Sequence, residues 1–177
     1  MNRALVGLIG ANIQNSLSPA LHEDAFAAAG IRGHYHLMDV SVLQGRRLEE
    51  LLGAARTAGF AGVNVTHPFK EAVIPLLDNV SADVREIGAV NTVVFDQTGG
   101  TTGHNTDCSG FRQAFIEALG EKSARDQAVL LLGSGGAGRA VAFALMSLGV
   151  ATLKVFDQDP ARATGLCADL IMRFGAG

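Results

Sequence analysis

Short apolar runs alternate with longer stretches of helical spacing along most of the chain. Ala4–Ile9 reads as a strand, Gly10–Leu17 as a polar loop, and Pro19–Ala29 as a helix. Ser18 is placed to cap that helix, Pro19 fits its first turn, and Gly30 stops it. His34–Val40 alternates as a strand, and Leu48–Ala58 has helical spacing up to Gly59. Phe60–Val65 is a further apolar strand. A short helix is predicted from Pro68 to Leu77 and another over Ala82–Ile87. Strands and helices alternating at these lengths predict an α/β fold with a largely parallel sheet.

Thr92–Phe95 and Thr101–His104 flank Asp96-Gln-Thr-Gly-Gly100, the pattern of a β-hairpin. Asp107–Leu119 reads as a long helix and Gly120–Asp126 as a polar linker. From Gln127 the pattern changes character. The run Val129-Leu-Leu-Leu enters Gly133-Ser-Gly-Gly-Ala-Gly138, a helix follows over Ala137–Leu148, and the strand Thr152–Phe156 ends at Asp157. That is the order of a dinucleotide-binding βαβ unit. Gly133 serves the tight turn, Gly135 admits a pyrophosphate, and Gly138 lets the helix approach the strand. The amides that open the helix, from Ser134 through Gly136, Ala137 and Gly138, face the phosphates. A last helix starts near Pro160.

This second unit reads as incomplete. One βαβ and one further helix leave a parallel pair of strands that normally needs cover on both faces. The pattern is expected of the first part of a longer dinucleotide domain, with a sheet completed by oligomerisation as the other reading.

Composition narrows the classes. A hydrophobic content of 48% supports a core, and a net charge of -3 without an arginine-rich block gives no nucleic-acid surface. No apolar run reaches membrane-spanning length and no signal-peptide pattern opens the chain, so a cytoplasmic protein is expected. Cys108 and Cys167 have no metal-ligand spacing and read as ordinary reduced thiols.

Four polar clusters stand where strands end or helices begin: Asn15-Ser-Leu-Ser18, Asn64-Val-Thr-His-Pro-Phe-Lys70, Ala89-Val-Asn-Thr92 and His104-Asn-Thr-Asp107. Loops at the carboxyl ends of strands converge on a crevice in open α/β sheets. Ser16, Ser18, Asn64, Thr66, Asn91 and Asn105 carry the neutral donors and acceptors that suit a polyhydroxylated ligand. Lys70 and Asp107 add a pair able to handle a proton. Plainer roles stand beside these: Ser18 and Asp107 as helix caps, Asn64 and Asn91 as partners of turn backbone, His67 as a local structural residue. His22 is expected on a helix surface.

Taken in order, Asn15-Ser-Leu-Ser-Pro19, Asn64-Val-Thr-His-Pro-Phe-Lys70, Gly88-Ala-Val-Asn-Thr92, Asn105-Thr-Asp107 with Gly110-Phe111, and the glycine-rich turn make the chain specific. It resembles the shikimate dehydrogenase family, including the quinate/shikimate dehydrogenase branch. The resemblance implies a substrate domain over residues 1–120, mainly parallel α/β, and the first part of an NAD(P)-binding Rossmann domain over 121–177. It implies that Ser16 and Ser18 hold a substrate carboxylate. Asn64, Thr66, Asn91 and Asp107 then bind ring hydroxyls, and Lys70 is the catalytic lysine with Asp107 its companion. The implied reaction is reversible hydride transfer between 3-dehydroshikimate and shikimate. The implied partner is a small polyhydroxylated cyclohexene or cyclohexane carboxylate, with monomer and homodimer both open. Members continue beyond the matching region, so the activity is expected of the full-length enzyme.

One departure concerns the cofactor. NADP-using members resemble Asn-Arg-Thr, two residues, then a basic side chain; here the run is Asp157-Gln-Asp-Pro-Ala-Arg162. An aspartate suits the ribose hydroxyls of NAD and repels the extra phosphate of NADP. Gln158 replaces the arginine that clamps this phosphate, while Arg162 keeps the second basic position. NAD is therefore favoured and NADP remains possible. NAD use and His67 resemble the quinate/shikimate branch. The other readings are a catabolic quinate dehydrogenase, a reductase of substituted shikimates, and a dehydrogenase-like binding or regulatory module.

Overall fold

The computed structural model describes residues 3–43 and 45–175, which divide into two compact units. The first contains the chain up to Ser81 and the segment Val90–His104; the second contains Ala82–Ala89 and everything from Asn105. The division follows packing rather than chain order, so a helix that precedes residue 120 belongs to the second unit. The polar segment at residue 120 lies within that unit, between its first long helix and its first strand.

The first unit is a six-stranded sheet of β1 (Arg3–Gly10), β2 (Arg32–Asp39), β3 (Gly62–Val65), β4 (Asn79–Val80), β5 (Thr92–Phe95) and β6 (Thr101–His104). Their order is β2-β1-β3-β5-β6-β4. Three of the five pairings are parallel, β1 with β2, β1 with β3 and β4 with β6; β5 pairs antiparallel with β3 and with β6. The hairpin creates the mixed character. Asp96 Oδ1 accepts from Thr98 N–H, Thr98 Oγ and Gly100 N–H, which closes the tight loop between β5 and β6. Two helices belong to this unit, α1 (Ser18–Ala28) and α2 (Leu48–Thr57). The buried side of α2 is Leu48, Leu51, Leu52 and Ala55, the spacing of one helical face.

Two local expectations are corrected. The segment after Pro68 contains isolated turns and one 3₁₀ turn at Ile74–Leu76 instead of an α-helix. Pro75 lies inside it, without an N–H to continue a ladder. Ser18 does not cap α1: it is the first helical residue, Leu17 holds the cap position, and no side chain bonds there.

The second unit starts with α3 (Ala82–Ile87) and α4 (Asp107–Leu119), continues through a 3₁₀ turn at Glu121–Ala124, and reaches β7 (Ala128–Leu132). It then runs through α5 (Gly136–Ser147), β8 (Thr152–Phe156) and α6 (Pro160–Phe174). β7 and β8 pair in parallel with Leu132 opposite Phe156. Ile87, Ala89, Ala140, Phe143, Leu166 and Leu170 form one core, against which Leu131 and Val155 pack. Arg139 on α5 ties the helices together: its Nε donates to the Ile87 carbonyl and its Nη2 pairs with Asp169. The opposite face of the two strands shows Leu130, Leu132 and Phe156 at 60–70% exposure. Among the described residues, no helix is long and apolar enough to cross a membrane.

Candidate functional site

In the first unit, side chains from α1, β2, β3 and the entry to β5 join in one polar network. Ser16 Oγ donates to Ser18 Oγ at 3.0 Å and accepts from Ser18 N–H at 3.2 Å. The Tyr35 hydroxyl on β2 crosses β1 and donates to Asn64 Oδ1 on β3 at 2.8 Å. Asn64 Nδ2 donates to the Asn91 carbonyl at 3.3 Å and to Thr92 Oγ at 3.1 Å. Thr92 Oγ then donates to Asn91 Oδ1 at 3.0 Å. Each amide is thereby oriented, because a rotated Asn64 would set its NH2 against the phenol proton.

Tyr35 was not legible as a site residue. It is 3% exposed, packs with Leu8 and Ile13, and stacks on His22 at 4.4 Å between ring centroids. Burial pushes its hydroxyl up to about 12, against a hydrogen bond with the Ser18 side chain that draws it down. Tyr35 thus touches both the serine pair and the asparagine pair. His22 is half-buried beneath it, with Nδ1 at 2.9 Å from the Ser18 carbonyl. The expected surface position is therefore corrected.

Thr66 and Lys70 lie on the turn after β3, which opens with a cis His67–Pro68 peptide. Backbone bonds hold this turn to its neighbours: Thr66 N–H to the Ile9 carbonyl, Ala11 N–H to the His67 carbonyl, and Val90 N–H to the Lys70 carbonyl at 2.8 Å. The ends of β1 and β3 and the approach to β5 are fixed together, and Lys70 is half-buried beside them.

Asp107 belongs to the second unit, where it is the first residue of α4. A carboxylate is favoured in that first turn by the helix dipole. Thr106 holds the cap position, but its side chain does not cap the helix. The capping acceptor is Asn105, whose Oδ1 receives Cys108 N–H at 3.1 Å while its Nδ2 donates to the Ala89 carbonyl at 2.9 Å. At 4% exposure, Asn105 is a structural residue. Burial pushes the Cys108 thiol up, with Asp83 adding to the effect.

The glycine-rich turn has the shape its residues imply. Gly133 takes φ +95°, which favours glycine, and its N–H donates to the Phe156 carbonyl at 2.7 Å. A side chain on Gly138 would collide with the Gly133 carbonyl, so close approach requires glycine there. Gly135 faces open space apart from the Arg162 guanidinium, 3.9 Å from where a Cβ would stand. The N–H groups of Gly136, Ala137 and Gly138 precede the first helical hydrogen bond, Arg139 N–H to the Gly135 carbonyl. These features fit a pyrophosphate.

Asp157 follows β8 and accepts three hydrogen bonds: Ser134 N–H and Ser134 Oγ on Oδ2, each 2.7 Å, and Asp159 N–H on Oδ1 at 3.0 Å. The Asp159 N–H, then the two Ser134 donors, hold its carboxyl at about 2, and Arg162 contributes attraction. Gly133, Asp157 and exposed Gln158 line one shallow concavity with Leu132 and Phe156. Among the described residues, no cluster of three or more His, Cys, Asp or Glu suits a metal ion.

Residues 8–93 match the family described as the shikimate dehydrogenase substrate binding domain. A quinate/shikimate dehydrogenase (NAD(+)) of Corynebacterium efficiens is 48% identical over 169 residues, covering 94% of this chain and 58% of that protein. A shikimate dehydrogenase (NADP(+)) of Streptomyces avermitilis is 47% identical over 175 residues, covering 98% of this chain and 59% of that protein. The solved quinate dehydrogenase from Corynebacterium glutamicum in complex with NAD superimposes with TM-score 0.90 at 45% identity. It covers 99% of this chain and 62% of that one. The chain thus spans about three-fifths of the length of these relatives.

Proposed function

This chain belongs to the shikimate dehydrogenase family, and from that premise we propose that the protein interconverts 3-dehydroshikimate and shikimate, and quinate with its 3-dehydro form. The observation that carries the reading is the network joining Ser16, Ser18, Asn64 and Asn91 through Tyr35, with Lys70 held on the adjoining turn. Neutral hydroxyls and amides oriented by one another suit a ligand rich in hydroxyl groups. Ser16 and Ser18 receive its carboxylate. Asn64, Thr66, Asn91 and Asp107 bind the ring hydroxyls.

The dinucleotide supplies or accepts the hydride at ring carbon C3 when bound. Lys70 Nζ gives a proton to the C3 oxygen during reduction and takes it back during oxidation, with Asp107 as its companion. Gly133 through Gly138 hold the pyrophosphate, and Asp157 accepts from the ribose hydroxyls of NAD. Gln158 offers no cation to a ribose phosphate, and Arg162 is the one basic group of this run. NAD is the favoured cofactor in this reading. A relative that uses NAD and one that uses NADP match at nearly equal identity, so the charge at Asp157 is what supports the choice.

The second reading is catabolic: an NAD-dependent quinate dehydrogenase. The likeness to the quinate dehydrogenase holding NAD favours it.

A steady-state matrix of shikimate and quinate against NAD and NADP, on the full-length protein and its Lys70→Ala form, tests both. We expect NAD to be preferred and the variant to lose about 10²- to 10⁴-fold in kcat. Wild-type turnover no better than the variant on either substrate would remove the enzymatic reading. Turnover of shikimate alone would remove the quinate reading and reduce the first to shikimate.

A further inference from the structure

We propose that Asp39 is a positioning residue for the substrate carboxylate, acting through the loop that carries Ser16 and Ser18. The inference rests on the reading of those serines given above and adds a residue to it. Asp39 is the last residue of β2, distant in sequence from the loop, and is 1% exposed. A carboxylate removed from water must be compensated by hydrogen bonds.

Those bonds all converge on one loop and its neighbour. Oδ1 accepts Asn12 N–H at 3.0 Å and Ser41 N–H at 2.9 Å. Oδ2 accepts Ile13 N–H at 2.8 Å and the Gln14 side-chain amide at 3.2 Å. Asn12 has φ +57°, a left-handed conformation that asparagine accepts more readily than most side chains, and in it the Asn12 N–H reaches Asp39 Oδ1.

From this clamp the chain of contacts runs directly to the serines. The Ile13 carbonyl accepts Ser16 N–H at 2.9 Å, and Ser16 Oγ accepts Ser18 N–H. Ile13 is itself buried with Leu8 and Tyr35, so its peptide is fixed from both sides. Asp39 therefore sets where Ser16 stands without touching the ligand. Charge-assisted bonds to backbone N–H groups are the stronger kind, which suits a part that must not drift.

The test uses Asp39→Asn, which keeps the shape but turns an NH2 toward backbone donors. Two measurements are made, on the full-length protein. Backbone amide exchange should rise for residues 11–18 while β3, β5 and β6 keep their protection. The dissociation constant of shikimate, measured by calorimetry, should rise about tenfold, with that of NAD unchanged. In the double variant with Ser16→Ala the two losses should combine to clearly less than their product, since one acts through the other. A glutamate at position 39 should not restore binding, because its added methylene displaces the acceptors.

Unchanged exchange over residues 11–18 overturns the clamp, whatever the ligand does. Losses that multiply in the double variant overturn its action through Ser16. If wild-type protein binds no shikimate, the functional reading fails, and the exchange result still decides the clamp.

Discussion

Ser134 and Asp157 are locked by a two-point contact: one carboxylate oxygen receives both the backbone N–H and the hydroxyl of the serine, each at 2.7 Å. Ser134 is 2% exposed, so this contact is shielded from water. It orients the acidic side chain that faces the cofactor ribose in the proposed function, while Oδ1 accepts from Asp159 N–H. Asp157→Asn removes the charge and keeps the shape. We expect the preference for NAD over NADP to fall by about tenfold, or about 1.4 kcal/mol, in kcat/KM measured with each cofactor. An unchanged ratio would show that this carboxylate does not discriminate. Ser134→Ala should weaken NAD binding by a smaller factor, with the NADP constant little altered.

The same carboxylates make the fold sensitive to acid. Asp157 is held at about 2 and Asp39 below its ordinary value; for Asp39, burial acts upward but the bonds from Ser41, Gln14, Ile13 and Asn12 outweigh it. A lowered folded value means that the stabilisation is complete above the ordinary carboxylate range, near 4, and disappears as pH falls through the folded value. Urea midpoints should therefore decline below about pH 4. The gap between wild type and Asp157→Asn should narrow toward about pH 2. A gap independent of pH would contradict the assignment.

Tyr35→Phe keeps the ring against Leu8, Ile13 and His22 and removes the hydroxyl that donates to Asn64 and bonds the Ser18 side chain. Stability should drop by about 1–3 kcal/mol, the net worth of two hydrogen bonds. The KM for shikimate should rise severalfold while that for the cofactor holds. Equal changes in both constants would point to a general loosening of the fold.

Gly138→Ala should be the most damaging small substitution in the second unit. The added methyl meets the Gly133 carbonyl, a backbone atom with no rotamer to yield. Overpacking of this kind costs about 1–3 kcal/mol, readable as a lower thermal midpoint accompanied by loss of NAD binding. The control is Gly165→Ala on α6, where a Cβ meets nothing within 4 Å.

Elements whose pattern is local were legible before any coordinates. The hairpin, α3, α4 and β8 fall where their periodicity and turn residues put them. The glycine turn also was, because each glycine answers a short-range demand. What escaped depends on partners far along the chain. Tyr35 reads as one more apolar strand residue until β2, β1 and β3 are laid side by side. Asp39 gives no signal in its own neighbourhood, since most of its partners lie at residues 12–14. Ser18 was assigned to a cap by a sound local rule, but the helix begins one residue early and its hydroxyl turns to Ser16 and Tyr35. β4 has two residues and is defined only by its pairing with β6.

The outer face of β7 and β8 has a practical meaning. Leu130, Leu132 and Phe156 line adjacent strands, and Lys154 is the one charge among them. Such a surface is adhesive in water. We expect this face to promote self-association as concentration rises and to bind hydrophobic dyes while the protein is folded.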